Sequence, residues 1–197
     1  MGADLGSMHS HSFNTDPKHL AFVLARYHFV ARMLQGKNRV LEVGCGDGTG
    51  ARLVKPVVGA LYGIDLVEYL NQGSPVLTRF VWDITDKPFG SAWDAIYALD
   101  VLEHISPENE DRFFKNINMS LDEYGTVIIG APSLESQVYA SELSKKYHVN
   151  CMTEGNFRAT LQKHYRNVYV LGMNDCTLHT GYGPMVHYRL AVCTSKK

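Results

Sequence analysis

The stretch Val40-Leu41-Glu42-Val43-Gly44-Cys45-Gly46-Asp47-Gly48-Thr49-Gly50 decides how this chain is read. It opens as a short, mostly apolar strand and runs into a loop where glycines alternate. Glycine permits positive φ and lets the backbone approach a ligand closely. Ligands of open α/β sheets sit at the carboxyl ends of such strands. Asp65 closes the next apolar run, where a carboxylate can accept hydrogen bonds from ribose hydroxyls. The dinucleotide spacing G-x-G-x-x-G would need glycine at position 49, and Thr49 stands there.

Working outward, short apolar runs alternate with helical signals. Strands are expected over 39–43, 60–64, 78–82, 94–99, 126–130, 168–173 and 187–193. Before the first of them, Asp16 can cap a helix that has Pro17 at its first position. Leu20, Val23, Leu24, Tyr27, Val30, Ala31 and Leu34 follow at helical spacing, and Gly36 is a stop signal. Further helices are expected from 107 to about 121, capped by Ser106 with Phe113, Phe114 and Ile117 inward, and over 133–146 and 154–164. Strands alternating with helices predict an α/β fold, a three-layer α/β/α sandwich around a mostly parallel sheet of about seven strands. The last two strands lack a helix between them and are expected to form an antiparallel edge. Residues 1–15 read as a flexible arm, and 16–197 as one domain.

The 197 residues suit a single domain. Nineteen basic residues against 20 acidic give a net charge of −1, which does not favour a general polyanion binder. No apolar run approaches the ~20 residues of a membrane span. The four cysteines, Cys45, Cys151, Cys176 and Cys193, are scattered without a C-x-x-C pair. That argues against a zinc ribbon or a disulfide framework and fits a reducing cytoplasm.

Residues 41–48 resemble the first motif of the class I S-adenosylmethionine-dependent methyltransferases, a Rossmann-like family. The resemblance continues, in the family's order, through Tyr62-Gly63-Ile64-Asp65, Trp82-Asp83-Ile84, residues 94–104 and residues 124–132. It covers roughly 39–132. It implies S-adenosylmethionine as cofactor and S-adenosylhomocysteine as product. Gly44, Cys45 and Gly46 would pass under the methionine part, with Glu42 supporting the loop. Asp65 would hold the ribose diol, with Leu66 beside the adenine. Asp83 would accept from the adenine amino group between Trp82 and Ile84, and Leu99 would offer its backbone to the amino-acid end. The first helix would act as a lid, with Arg26 and Tyr27 reaching the cofactor or the acceptor. The family usually has a full helix after the acid of the second strand, and here that helix must be short.

Methyl transfer needs positioning of the nucleophile and removal of its proton. The chain lacks the [D/N/S]-P-P-[Y/F] motif of DNA amino-methyltransferases and the Pro-Cys nucleophile of cytosine-C5 enzymes. A small metabolite is therefore the favoured acceptor, methylated on oxygen or nitrogen, and DNA is not expected. The end of strand four resembles the subgroup of ubiquinone-pathway and sugar- or lipid-tailoring enzymes, which points to a sugar or glycan precursor. An RNA terminus, a protein side chain, or a non-catalytic cofactor-binding partner subunit are the alternatives. His148 is the first candidate base, since a neutral imidazole suits proton removal near pH 7. His179, Tyr182 and Asp100 follow. Asp100, Glu103, His104 and His148 also read as a divalent-cation set, but Glu-His is common at this place in members without metal, so no metal is the favoured reading. Monomer and homodimer both stay open.

Overall fold

Alternation along the central strands sets the layers. In β1 (Arg39–Val43) Leu41 and Val43 face one side while Val40 and Glu42 face the other. In β4 (Trp93–Leu99) Ile96 and Ala98 share the first face, and Ala95, Tyr97 and Leu99 the second. All but Glu42 are apolar or aromatic, and all are buried, as expected of parallel strands covered on both sides.

The structure is a computed structural model that describes residues 14–68 and 77–197. Its other strands are β2 (Ala60–Asp65), β3 (Thr78–Val81), β5 (Leu121–Pro132), β6 (Tyr165–Asn174), β7 (Thr177–His179) and β8 (Tyr188–Lys196). They form one eight-stranded sheet in the order β3-β2-β1-β4-β5-β8-β6-β7. Strands β1 to β5 pair in parallel. Strand β8 runs antiparallel between β5 and β6, and β7 continues the sheet beyond β6. The expected Rossmann-like, mostly parallel sheet with an antiparallel edge is present. The last strand, however, is inserted between two others rather than added outside them, and a short eighth strand takes the edge.

Helix α1 (Pro17–Met33) starts where Asp16 accepts from the His19 amide at 3.2 Å. Gly36, at φ +83°, turns the chain after it. With α2 (Ala51–Val54), it buries Tyr27, Val30, Leu34, Ala51 and Val54 on the sheet face bearing Val40, Tyr97 and Leu99. Helices α3 (Pro107–Ser120) and α5 (Glu154–His164) bury Phe113, Phe114, Ile117, Phe157 and Leu161 on the opposite face. The single helix expected over 133–146 is instead a 3-10 turn, Glu135–Tyr139, followed by α4 (Glu142–Tyr147). The break comes at Ser141, whose side chain accepts from the Ser144 amide and starts a new helix. Of the arm expected over 1–15 only residues 14 and 15 are described, and the short helix expected after Asp65 lies largely outside the described residues. Among the described residues no helix is long and apolar enough to cross a membrane.

Strand order reverses between β1 and β4, which share a parallel pairing while their neighbours diverge. The crevice at the carboxyl ends of these two strands is where an open α/β sheet takes its ligand. Gly44 leaves β1 there and Asp100 leaves β4.

Candidate active site

The glycine loop is held open as a cradle. Gly44, Gly46 and Gly48 have φ of +75°, +48° and +75°. The amides of Gly44 and Cys45 donate to the Ile64 carbonyl at 2.8 and 3.2 Å. The Gly46 amide donates to Asp65 Oδ2 at 2.9 Å, and the Val67 amide to Oδ1 at 3.2 Å. A Cβ on Gly44 would collide with Val101, so the first glycine is required both by its dihedral angle and by space.

Two adjoining cavities meet at Gly44, Gly46, Asp100 and His104. The first, about 620 Å³, is lined by Asp65, Leu66, Trp82, Asp83, Ile84 and neighbouring loop residues. Leu66 stands exposed at its lip, whereas Ile84 is buried. The Trp82 ring is fixed by its indole N–H to the Lys87 carbonyl at 3.1 Å and by an edge contact with Phe89. Asp83 Oδ1 accepts from the Thr85 amide and hydroxyl at 2.8 and 2.7 Å. The carboxylate of Asp65, the aromatic and aliphatic walls and the glycine backbone together fit a nucleoside joined to a methionine chain.

The second cavity, about 360 Å³, lies under α1. Its wall includes Tyr27, Cys45 and Leu99 from the resemblance set, together with Arg26, Asp100, Glu103, His104 and His148. Arg26 Nη1 contacts both oxygens of Asp100 at 2.9 and 2.7 Å and its guanidinium stacks on Tyr188 at 3.7 Å. Asp100 sits at φ +56°, with its amide donating to the Gly130 carbonyl at 3.0 Å. Ala92, Asp175 and Ser195 share this left-handed conformation away from the cavities, so the position of Asp100 rests on its contacts rather than on its φ.

Glu42 lies behind the loop, 1% exposed, because the β1 alternation turns it toward α1. It accepts from the Tyr27 hydroxyl at 2.8 Å, and its Oε2 is buried without a hydrogen-bond partner. Burial pushes its carboxyl up to about 8, against the opposing effect of that hydroxyl. Burial likewise raises the Cys45 thiol, which keeps it unreactive.

His148 caps the end of α4. Its Nδ1 lies 2.9 Å from Gln137 Oε1. The Gln137 amide nitrogen donates to the Ser133 carbonyl, so its oxygen faces the imidazole and Nδ1 carries the proton. His104 Nδ1 donates to the Tyr147 carbonyl at 3.0 Å, and the two rings meet edge to face with centroids 5.1 Å apart. Burial, then His104, lower the pKa of His148 and favour the neutral ring.

His179 and Tyr182 do not join this group. The β6–β7 hairpin carries His179 to the sheet edge, where its Nδ1 accepts from the Gly181 amide at 3.0 Å. Tyr182 is 72% exposed, and neither residue lines the two cavities. Two residues passed over in the sequence prove structural to the site. Gln137 orients His148. Arg189, 2% exposed, donates to the Met152 and Gly183 carbonyls and pairs with Glu135 at 2.8 Å, tying together the segments behind α4. An arginine within the apolar run of β8 was the available signal.

A protein-family model described as a methyltransferase domain matches residues 18–164. Phosphoethanolamine N-methyltransferase of Plasmodium falciparum is 30% identical over 105 residues, 49% of this chain and 40% of that protein. The chain thus aligns with less than half the length of that relative. Among solved structures, N-methyltransferase NodS of Bradyrhizobium japonicum with S-adenosylhomocysteine has a TM-score of 0.70 at 15% identity, covering 97% of this chain and 94% of that one. A Haloferax volcanii methyltransferase, solved in complex with the Trm112 activator, gives 0.72 at 13% identity, with both chains covered completely. These structures share the fold. The match over most of the chain identifies it as a member of the S-adenosylmethionine-dependent class I methyltransferases.

Proposed function

We propose that this methyltransferase acts on an oxygen or nitrogen of a small, polar metabolite, with a sugar or other glycan precursor preferred. The observation that carries this reading is the cavity under α1. It is compact and lined by carboxyl and imidazole groups, and its one Lys or Arg among the described lining residues, Arg26, is neutralised by Asp100. Phosphates are bound by positive charge that remains available to them, so this wall suits a neutral or amine-bearing acceptor better than an RNA end. The similarity to a phosphoethanolamine N-methyltransferase also supports a small acceptor.

S-adenosylmethionine supplies an activated methyl whose sulfur leaves as a neutral thioether. The chain's own groups bind, orient and remove a proton. Asp65 and the glycine backbone position the cofactor, Arg26 and Asp100 shape the acceptor side, and neutral His148 stands beside His104 where the acceptor proton must leave.

The test is methyl transfer from labelled S-adenosylmethionine to panels of polyols, sugar derivatives, small amines, RNA and proteins. Label on a small hydroxyl or amine is expected. Label on RNA or protein with none on any small acceptor contradicts the reading. With the acceptor in hand, His148→Ala should lower turnover at least about a hundredfold, in line with general-base loss, while S-adenosylhomocysteine affinity stays within a few-fold.

A further inference from the structure

Glu103, His104 and His148 each offer a ligand atom, and these atoms all lie within 4.8 Å of one another on the wall of the cavity under α1. Three features make the group more than a coincidence of polar residues. Both imidazoles spend Nδ1 on protein oxygens, those of Tyr147 and Gln137, which in the neutral ring leaves Nε2 with a bare lone pair. Ligating histidines are oriented in this way by outer carbonyl partners. Glu103 is 1% exposed and its Oε2 has no hydrogen-bond partner, so a buried carboxyl oxygen is left unsatisfied, which is costly unless something outside the chain pairs with it. Finally, the Glu103 carbonyl accepts from the Val149 and Asn150 amides at 2.8 and 3.0 Å. The turn bearing Glu103 and His104 is thereby tied to the segment bearing His148, and the two halves of the cluster keep a fixed spacing.

Two bare imidazole Nε2 lone pairs and an unpaired buried carboxyl oxygen converge on one point, an arrangement that suits a cation. We propose that Glu103, His104 and His148 form a site for one divalent transition-metal ion, with open coordination positions toward the cavity. Two imidazoles and one carboxylate suit zinc, cobalt, nickel, iron or manganese better than magnesium, which prefers oxygen and water. Asp100 is not a ligand in this arrangement, because Arg26 already engages both its oxygens. The site thus has three protein ligands, where the sequence offered four.

The role of the ion rests on the small-acceptor reading and narrows it to oxygen. In the loaded site His148 Nε2 holds the ion and no longer takes the proton itself: a hydroxyl of the acceptor becomes a further ligand and loses its proton to solvent near neutral pH. The acceptor oxygen then bonds to the methyl carbon as the carbon–sulfur bond breaks, with its electron pair passing to sulfur.

Cobalt(II) is the probe. It is titrated into the metal-stripped 197-residue protein by calorimetry and by visible absorption, with magnesium in parallel and neither cofactor nor acceptor present. One cobalt per chain at micromolar affinity is expected, well ahead of magnesium. His148→Ala and Glu103→Gln should each weaken binding at least about tenfold, and Gln137→Ala, which removes only an outer partner, about tenfold. Circular dichroism of each variant shows whether it is folded, and the conservative Glu103→Gln keeps the test decisive should His148→Ala unfold. Substoichiometric binding to the wild type, or unchanged affinity in folded variants, overturns the proposal. Because no turnover is measured, a failed acceptor panel and a failed metal site give separate results.

Discussion

Glu42, Gly44 and Asp65 show how single residues fix the site. Gly44 combines positive φ with contact against Val101. Gly44→Ala should therefore abolish measurable S-adenosylhomocysteine binding and lower the melting temperature, whereas Gly36→Ala, with open space around it, should lower only the latter. Glu42 gives a pH signature. Its folded pKa of about 8 exceeds the ordinary 4.5, so the unfolded chain ionises first as pH rises. The stability that the protonated group contributes is complete below about pH 4.5, declines across the interval and is lost through pH 8. Thermal melts of cofactor-free protein should show Glu42→Gln gaining on the wild type from pH 5 to pH 8. A constant difference would mean that Glu42 is ionised throughout. That Asp65 and Asp83 would lie near one another at the carboxyl ends of neighbouring strands was legible because acids at or just after a strand are visible in one dimension. The union of Glu103, His104 and His148 was not, since the sequence gives a spacing but not the Nδ1 partners that orient the rings.

Among the elements, α1 was the most legible and is the most consequential for access. Its apolar period, Asp16 cap and Pro17 start specify the helix, and two neighbouring side chains fasten it over the cavity, Tyr27 to Glu42 and Arg26 to Asp100. Tyr27→Phe keeps the packing but removes the 2.8 Å hydroxyl donor to Glu42. Denaturant unfolding near neutral pH should show a loss of about 1–3 kcal/mol, the cost of an unsatisfied buried polar group. If α1 serves as the lid, hydrogen exchange of its amides should slow when S-adenosylhomocysteine is added, and unchanged exchange would place it outside the binding step. The segment 133–146 reads as one helix in the sequence because its break depends on Ser141 capping, and no glycine or proline marks the place.

For the whole molecule, local pattern identified most strands, while strand order depended on long-range pairing. Strand β8 shows the gap. It reads as a terminal strand, yet it pairs with β5 on one side and β6 on the other, and its buried Arg189 braces the segments behind α4. Removing residues 188–197 would expose both partners, so the truncated chain should lose its cooperative thermal transition, read by circular dichroism. The near-neutral charge now has a local counterpart in the cavity wall, where the arginine is already paired. The central claim is that the crevice at the strand-order reversal is the cofactor site, held by the glycine cradle and Asp65. Calorimetric titration of S-adenosylhomocysteine into the wild type and Asp65→Ala tests it most directly. The account predicts one-to-one micromolar binding to the wild type and a loss of at least about tenfold, roughly 1.4 kcal/mol, in the folded variant. Equal affinity in the two proteins, or no binding to the wild type, would contradict it.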